Sequence, residues 1–432
     1  MTKEKFKLST ARGFRDFPPN EKILRDQVIN QIKDVFEAYG FSPLETPTIE
    51  RLDVLTAKFG AGEASDIVGE LYQLKDQGGR DLGLRYEFTF ALARYIGMNP
   101  QTKLPFKRYQ IGPVFRDGPI KAGRYREFYQ CDVDTVGAKG IIADAEIISL
   151  LGAVFKKLNL EINIEVNDRK LLEDIFNYLE IKENQESIIV TIDKLKKIGR
   201  EGVSKELKEK ELQEDKINKL LDIVLVKGNN LEKLDNIKKI ITETEGVKEL
   251  QELFNYLEQF EVDYTFLPSL ARGLGYYTGP IFEVFLKDQT IISSSLAGGG
   301  RWDKMIGKYL GNDKLAYPAT GVAVGLEPTM EIIKKIKGLP SSTKAKILLI
   351  PIKTIEQCIK ISKQLREDGI KTMLDLMNRN IGKNLDYADK MGIPFVGILG
   401  ENELKENKIK IKNMKTGEEQ LVFIKEIKNL IK

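Results

Sequence analysis

The 432-residue sequence contains no histidine, and it has only two cysteines and one tryptophan. Without an imidazole, the chain cannot use a histidine general base, a histidine metal ligand or a Ser-His-Asp triad. The two cysteines, Cys131 and Cys358, lie far apart in the sequence, which argues against a disulfide scaffold and against a zinc site. Any catalysis must therefore depend on arginine, lysine and carboxylate side chains.

Long apolar runs and a strong charge imbalance are also absent. No stretch reaches the roughly 18 apolar residues that a membrane span needs, so no membrane association is expected. The polar start, MTKEKFKLST, predicts no signal peptide and a cytoplasmic location. A net charge of only +4 limits any nucleic-acid surface to a local patch. The length predicts about two or three domains.

The stretch from Leu104 to Gly137 has the pattern of two antiparallel strands joined by a long basic loop. Residues 108–115 and 125–136 alternate in polarity, and the loop between them is rich in glycine and charge. One face of the second strand carries Arg126, Phe128, Gln130, Asp132, Asp134 and Val136. Polar groups repeated on one face of an apolar strand must be paired or bind a ligand. An exposed hairpin with a solvated charged face is the alternative.

Two further segments place polar side chains beside aromatic residues. Residues 82–100 predict a strand with Arg85, Glu87 and Thr89 on one face, followed by a helix at 91–98. A surface ion pair would explain the same pattern. Residues 270–285, LARGLGYYTGPIFEVF, place an arginine in a glycine-rich turn that leads through two tyrosines into a strand.

Glycine also marks the last two segments before a linker. Residues 293–311 contain three consecutive glycines, which let the backbone approach a ligand closely. Residues 319–333, ATGVAVGLEPTMEII, predict a strand followed by a helix. A linker at 338–344 then precedes alternating strands and helices, which predict a small α/β domain at 345–432.

The composition changes between residues 167 and 261. This region is rich in Lys, Glu, Leu and Ile, has no proline up to residue 260, and repeats apolar residues at helical spacing. It is predicted to be a helical insertion, and its charges are expected to form mostly a solvated face. Residues 1–166 and 262–337 are then predicted to form one catalytic domain around it.

Taken together, these segments resemble the histidyl-tRNA synthetase family of the class II aminoacyl-tRNA synthetases. The specific parts are REFYQCDVD in the hairpin and RGLGYYTG near residue 275. The resemblance implies an α+β class II catalytic core, with an antiparallel sheet flanked by helices. It also implies a helical insertion and a C-terminal α/β anticodon-binding domain. The helix and strand at 20–50 resemble the dimer-forming motif, so a homodimer is expected.

The resemblance implies ATP-dependent attachment of histidine to its tRNA through a histidyl-adenylate. Arg116 and Arg272 would be catalytic, both acting on the α-phosphate. Histidine would be bound by Glu87, Thr89, Gln130, Asp134, Tyr276, Tyr277 and Trp302. ATP would be bound by Arg116, Arg124, Arg126, Arg272, Gly299, Gly300, Arg301 and Gly325. Mg²⁺ would accompany ATP, with no protein metal site, and a phosphate oxygen of the adenylate would accept the ribose proton.

Three positions depart from the family pattern and keep two other interpretations open. Gly275 replaces an acid, Trp302 replaces a tyrosine, and Pro328 replaces the arginine of the third class II motif. These changes favour a non-catalytic paralogue that binds histidine, such as the regulatory subunit of ATP phosphoribosyltransferase. The C-terminal domain favours the enzyme. A nucleic-acid-binding module without catalysis is the third possibility, although it would not need Arg116 and Arg272.

Overall fold

The computed structural model describes residues 8–56, 69–120, 123–273, 275–312 and 315–431. Its contacts divide the chain into two compact units. The first contains the described residues up to Arg15 together with Val28–Ile336, and the second contains Asp16–Gln27 and the residues from Lys337 on. Among the described residues, no helix combines the length and the apolar composition that crossing a membrane would require.

The elements before the helical insertion lead from a long amphipathic helix into a hairpin. In chain order they are α1 Pro19–Ala38, β1 Ser42–Pro43, β2 Ile49–Arg51, α2 Leu52–Leu55, β3 Gln73–Lys75, β4 Asp81–Leu84, α3 Thr89–Met98, β5 Phe106–Phe115, β6 Glu127–Val136, α4 Ile142–Lys157 and β7 Ile162–Asp168. The apolar side chains Val28, Ile32 and Phe36 of α1 recur at helical spacing and are buried. Burial of this one face stabilises the helix.

The chain after β7 forms the helices of the insertion and then returns to the sheet. These elements are α5 Arg169–Tyr178, α6 Gln185–Ile192, α7 Leu195–Glu209, α8 Glu214–Val224, α9 Asn230–Ile241, α10 Glu245–Gln259, β8 Thr265–Phe266, β9 Pro280–Leu286, β10 Ala297–Arg301, α11 Met305–Tyr309, β11 Ala319–Gly325 and α12 Leu326–Lys337. Within α7, Gly199 has a φ of +67° and breaks the helix, a conformation that glycine adopts without strain.

The first unit is built on an eight-stranded sheet with the order β1-β5-β6-β11-β10-β9-β7-β8. The predicted hairpin is confirmed: β5 and β6 pair antiparallel from Phe106↔Val136 to Phe115↔Glu127. The central strands are antiparallel, as predicted, but the pairs β1–β5 and β7–β8 at the two edges are parallel. The fold class of a class II catalytic core is therefore confirmed, with a mixed rather than purely antiparallel sheet. A smaller sheet joins β2, β4 and β3.

The strand predicted for residues 84–89 is wrong in its length. β4 ends at Leu84 and α3 begins at Thr89, so the residues between them form a turn. The Arg85 side chain explains the change, because its Nε donates to the Pro113 carbonyl at 2.7 Å and its Nη1 to the Thr46 carbonyl at 3.0 Å. The Arg85 backbone is also paired, because its N–H donates to the Thr48 carbonyl and its carbonyl accepts from the Phe115 N–H.

The second unit contains a five-stranded sheet with the order β13-β12-β14-β15-β16. Its elements are β12 Ile347–Pro351, α13 Ile355–Glu367, β13 Thr372–Leu374, α14 Ile381–Met391, β14 Phe395–Leu399, α15 Glu401–Lys405, β15 Lys408–Asn413, β16 Glu419–Phe423 and α16 Ile427–Ile431. β12 is parallel to both β13 and β14, and β15 and β16 add antiparallel strands. The predicted α/β domain is thus confirmed in architecture, whereas the domain boundaries at 166, 261 and 337 stay predictions.

Candidate active site

A pocket lies over β6, β10 and β11 of the large sheet and brings together most of the predicted site residues. Its lining includes all seven residues predicted to bind histidine, namely Glu87, Thr89, Gln130, Asp134, Tyr276, Tyr277 and Trp302. It also includes Arg116 and Arg272 and the glycines Gly299 and Gly325 from the predicted ATP set. Arg124, Arg126, Gly300 and Arg301 do not line this pocket.

The β6 wall of the pocket carries acidic and amide side chains that point to the same face. Gln130, Asp132 and Asp134 alternate along the strand, and all three are buried. Arg108 on β5 is fully buried and its Nη2 lies 2.7 Å from Asp134 Oδ2. The Trp302 indole also donates to Asp134. This carboxylate is therefore fixed from two sides, with Gly321 leaving room for it because a Cβ there would overlap Asp134 Oδ1.

Trp302 affects the charge state of Asp134 in the pocket. Burial raises the pKa of Asp134, while the positive charge of Arg108 and the indole hydrogen bond lower it. An indole donates but cannot accept, so the tryptophan orients a carboxylate where the family's tyrosine would offer a hydroxyl. Asp134 and Trp302 therefore form a hydrogen-bonded pair at this end of the pocket.

Glu87 lies in the turn before α3 and is a strongly desolvated acid near the two arginines. Burial raises the pKa of Glu87 to about 7, while Arg116 lowers it, Asp134 raises it and Arg272 lowers it. An amino-group ligand would need the ionised form of this carboxylate. The pKa therefore makes the binding of such a ligand dependent on pH.

We expect histidine, the ligand that the resemblance implies, to bind about tenfold more weakly at pH 6 than at pH 8, because Glu87 retains its proton below pH 7. The affinity should fall as the pH drops through this value, since the neutral carboxyl cannot pair with an ammonium group. Calorimetric titration with histidine across this pH range measures the effect. The matched control is Glu87→Gln, which should bind weakly at every pH. An unchanged pH profile in this variant would assign the dependence to another group, such as the imidazole of the ligand.

Arg116 follows β5 and is held between two aromatic rings. Its guanidinium lies 4.1 Å from the centre of the Tyr86 ring and 5.1 Å from that of Phe128. Its Nε donates to the Tyr86 carbonyl at 3.3 Å. Within the described ranges, no carboxylate oxygen lies within ion-pair distance of Arg116. Stacking therefore orients the charge and leaves it available to an anionic ligand.

Arg272 reaches the same pocket from the glycine-rich turn before β9. Its φ of +48° is unusual for a residue with a side chain, and its N–H donates to Asp193 Oδ1 at 3.0 Å. Asp193 ends α6, so a helix of the predicted insertion helps to fix this turn. The Arg272 Nη1 lies 3.5 Å from Glu283 Oε1. Position 298 accommodates only glycine, because a Cβ there would overlap the Arg272 guanidinium.

Tyr276 and Tyr277 close the pocket next to this arginine. Their ring centres are 4.7 Å apart, and both side chains are buried. The Arg272 guanidinium lies 5.8 Å from the centre of the Tyr277 ring. Burial lowers the pKa of Arg272, but the neighbouring Tyr277 and Glu283 raise it and have the larger combined effect, so the guanidinium stays charged.

The structure places Arg301 and Gly300, both predicted to bind ATP, outside the lining of this pocket. Arg301 is 3% exposed, and its Nε donates to Asp144 Oδ2 at 3.1 Å. The same guanidinium also donates to the carbonyls of Ala138 and Gly140. These partners tie β10 to the start of α4, away from the pocket. At Gly300 a Cβ would contact the Tyr277 ring and the Pro280 carbonyl, so this glycine serves close packing.

The remaining predicted ATP residues, Arg124 and Arg126, lie in the hairpin loop. Arg126 Nη1 pairs with Asp117 Oδ1 at 2.8 Å, and its Nε donates to the Gly118 carbonyl. Arg124 is exposed. Its neighbour Gly123 lies beside α12, since a Cβ on Gly123 would be 4.0 Å from the Pro328 Cα. The loop backbone next to Arg124 therefore lies beside Pro328, the position where the resemblance implies an arginine.

Comparison with known proteins decides the family. A model described as histidyl-tRNA synthetase matches residues 13–329, and a model of the anticodon-binding domain matches residues 344–432. The chain belongs to the histidyl-tRNA synthetase family. The predicted resemblance is thereby confirmed, and it extends over nearly the whole chain.

Individual members of the histidyl-tRNA synthetase family align along the full length. Histidine–tRNA ligase 1 of Bacillus anthracis is 40% identical, covering 98% of this chain and 100% of the relative. Histidine–tRNA ligase of Clostridium tetani is 38% identical, covering 100% of each chain. The crystal structure of histidyl-tRNA synthetase from Nostoc sp. PCC 7120 superposes with a TM-score of 0.86 at 31% identity, covering 99% of each chain.

One structure bears on the alternative interpretation. A protein from Bacillus halodurans C described as an ATP phosphoribosyltransferase regulatory subunit/histidyl-tRNA synthetase superposes with a TM-score of 0.74 at 20% identity. It covers 89% of this chain and 97% of that protein. At this identity the likeness shows a shared fold alone.

Sequence reasoning missed several residues that line the pocket of this histidyl-tRNA synthetase family member. Phe128 and Asp132 lie on the same face of β6 as Gln130 and Asp134, so the period of two already indicated them. Gly298, Gly321 and Ser295 also line the pocket. The run of three glycines already indicated Gly298, whereas no local pattern distinguishes Ser295 and Gly321. Gly298 and Gly321 leave room for Arg272 and Asp134.

Proposed function

We propose that this chain attaches histidine to its tRNA in two ATP-dependent steps. One observation carries the proposal: Arg116 and Arg272 face the same pocket as the acidic and aromatic groups of the predicted histidine site. Two fixed guanidinium groups beside buried carboxylates suit a ligand with both cationic and anionic ends. The relatives named histidine–tRNA ligase, which align along their full length, support this function.

In the first step, a carboxylate oxygen of histidine attacks the α-phosphorus of ATP, and the bond to pyrophosphate breaks. Negative charge increases on the α-phosphate oxygens in the transition state. Arg116, oriented by Tyr86 and Phe128, and Arg272, oriented by its turn, provide preorganised positive charge for those oxygens. In the second step, a terminal ribose hydroxyl of tRNA attacks the acyl carbon, AMP leaves, and an adenylate phosphate oxygen takes the proton.

The opposite ends of the histidine ligand have matching groups. Glu87 and Thr89 would hold the α-ammonium group at the turn before α3. Asp134, fixed by Arg108 and Trp302, would accept a hydrogen bond from the imidazole. Tyr276 and Tyr277 would pack against the ring and exclude water. Trp302 would therefore contribute to imidazole binding indirectly, by holding Asp134, and not through a hydroxyl group as the tyrosine would.

Mg²⁺ is proposed only as a companion of ATP. Across the described ranges, no group of three or more Asp, Glu or Cys side chains has the geometry to hold a metal ion. Arg124 is proposed to meet the outer phosphates, since Arg126 is paired with Asp117.

Charging of a histidine tRNA by the parent protein and by Pro328→Arg tests the proposed function. We expect the parent to charge this tRNA and Pro328→Arg to change the KM for ATP by less than about threefold, because another cation fills the role. An unfilled role should instead improve ATP binding about tenfold or more on restoring the arginine. Histidine-dependent exchange of pyrophosphate with ATP measures the first step separately. A parent that binds histidine tightly yet neither exchanges nor charges would support the regulatory paralogue.

A homodimer in the cytoplasm is proposed as the working form, with tRNA contacted by the C-terminal unit. Support for the dimer comes from the resemblance of α1 and the following strands to the family's dimer-forming motif. We expect sedimentation equilibrium at micromolar concentration to give twice the 49.0 kDa chain mass. A single-chain mass at this concentration would contradict the proposal.

A further inference from the structure

A second cavity lies directly behind the tyrosine pair of the active site. Tyr276 and Tyr277 line both this cavity and the substrate pocket, so the two spaces share a wall. Gly275 lines the second cavity, and so do the cationic side chains of Arg169, Lys170, Lys304 and Lys308. The lining also contains the carboxylates Glu173, Glu186 and Asp303, so it has one more cationic than anionic side chain beside Gly275.

Arg169 is the most informative of these groups. It is the first residue of α5, it is only 2% exposed, and its Nη2 lies 2.6 Å from Glu186 Oε2. Its Nε and Nη1 are buried and have no hydrogen-bond partner among the described residues. A buried guanidinium with unsatisfied N–H groups is costly, and such groups are normally paired or ligand-bound.

The other charged groups around the cavity do not satisfy Arg169. Lys170 pairs with Glu245 and Glu249, and Asp303 accepts from the Ala319 N–H and lies near Arg301. Glu173 is the remaining carboxylate of the lining. Burial raises the pKa of Glu173, although Arg169 and Lys304 lower it.

The backbone N–H groups at the N-terminus of α5 already have hydrogen-bond acceptors. The Arg169 N–H donates to the Gly279 carbonyl, and the Lys170 N–H donates to Asp168 Oδ1 at 2.8 Å. The cationic character of the cavity therefore comes from side chains and not from free backbone groups at the helix end.

We propose that this cavity binds a small oxyanion of the phosphate class, held by Arg169 and Lys304 and with Lys308 adding positive charge. Such an anion would supply the negative charge that Gly275 does not carry. Because Tyr276 and Tyr277 form the shared wall, the bound anion would stabilise their arrangement and tighten histidine binding. This consequence for histidine rests on the proposed function, whereas anion binding itself does not.

Titration of the full chain with inorganic phosphate at constant ionic strength, with potassium gluconate as the background salt, tests the site. We expect a saturable increase in the thermal midpoint and an increase in histidine affinity of about threefold or more. Lys304→Gln should raise the half-saturating phosphate concentration about fivefold. The matched control, Lys205→Gln, removes an exposed lysine of α7 and should respond like the parent. A chloride titration distinguishes an oxyanion site from general anion binding.

Gly275→Asp provides the sharper test because it places a carboxylate in the chain at the cavity. We expect this variant to bind histidine at the phosphate-stimulated level without phosphate and to lose the phosphate response. Gly275→Ala is the matched control, since it adds a Cβ without the charge and should keep the phosphate response. A parent without a saturable response, or a Gly275→Asp protein that responds like the parent, would overturn the proposal.

A third variant separates this site from the substrate pocket. Phosphate could instead act through Arg116, where the ATP phosphates are proposed to bind. If Arg116→Ala loses the phosphate response while Lys304→Gln and Gly275→Asp keep it, phosphate acts at the ATP position and the second site is refuted. If the parent protein responds to phosphate but does not charge tRNA, the result would contradict the proposed function and leave the phosphate site supported.

Discussion

Replacing Arg272 by alanine is expected to reduce histidine-dependent exchange of pyrophosphate with ATP by about two to three orders of magnitude. Arg116 and Arg272 are the two cationic side chains among the described residues that line the pocket. Its contacts with Glu283 and with the Phe282 carbonyl are both long, at 3.5 Å. Removing it should therefore leave the fold intact, which circular dichroism and thermal melting would check. Exchange within a few-fold of the parent would contradict the assignment.

Asp193 supplies the matched variants for this experiment. It accepts the Arg272 N–H and so supports a φ of +48°, a conformation that costs roughly 1–2 kcal/mol for a non-glycine residue. Asp193→Ala removes the acceptor and is expected to lower kcat for exchange while leaving the KM for ATP nearly unchanged. Asp193→Asn keeps an oxygen acceptor and should recover most of the rate. Equal loss in both variants would point to the charge of Asp193 and not to its hydrogen bond.

Replacing Arg301 by methionine is expected to lower the free energy of unfolding by about 3–5 kcal/mol, because Asp144 would remain as an unpaired buried charge. Both side chains of this pair are almost fully buried, and the arginine also satisfies the carbonyls of Ala138 and Gly140. Burial raises the pKa of Asp144 to about 6, while Arg301 lowers it. Loss of the guanidinium should therefore raise this pKa further. Urea denaturation measures the change in stability.

The double variant Arg301→Met, Asp144→Leu is the control for this prediction. Replacing both partners removes the uncompensated charge and should recover most of the lost stability. The KM for ATP of the double variant should be close to that of the parent, because Arg301 lies outside the pocket. A large increase in KM with unchanged stability would instead support the prediction that Arg301 binds ATP.

Pattern in the sequence was enough to predict the hairpin and the face of β6 that lines the pocket. Because side chains alternate strictly along a strand, placing Gln130 on one face also places Asp134 there. The motif around Arg116 and the turn around Arg272 were likewise recognisable, since both combine a charged residue with glycine in a short segment. Their functional assignment came from resemblance, because spacing alone does not distinguish a ligand site from a solvated face.

Other features could not be read from local pattern. The alternation at 84–89 predicted a strand, yet Arg85 bonds to carbonyls of distant segments and the chain turns. Arg301 follows three glycines like a ligand-binding residue, but its partner, Asp144, is 157 positions away. Long-range pairs of this kind carry no signal in a single sequence, because either residue would look the same with another partner.

The sequence by itself determined the class of chemistry and the secondary structure of the main strands and helices. Lack of histidine restricted catalysis to arginine, lysine and carboxylate groups. Apolar residues recur with a period near 2 in the strands and near 3.6 in the helices, which distinguished the sheet from the inserted helices. Tertiary structure alone decided which charges are free to meet a ligand. It paired Arg108 with Asp134 and Arg301 with Asp144, held Arg126 on Asp117, and left Arg116 stacked between rings. Charge pairing acts over a few ångströms in space, which separation along the chain does not reveal.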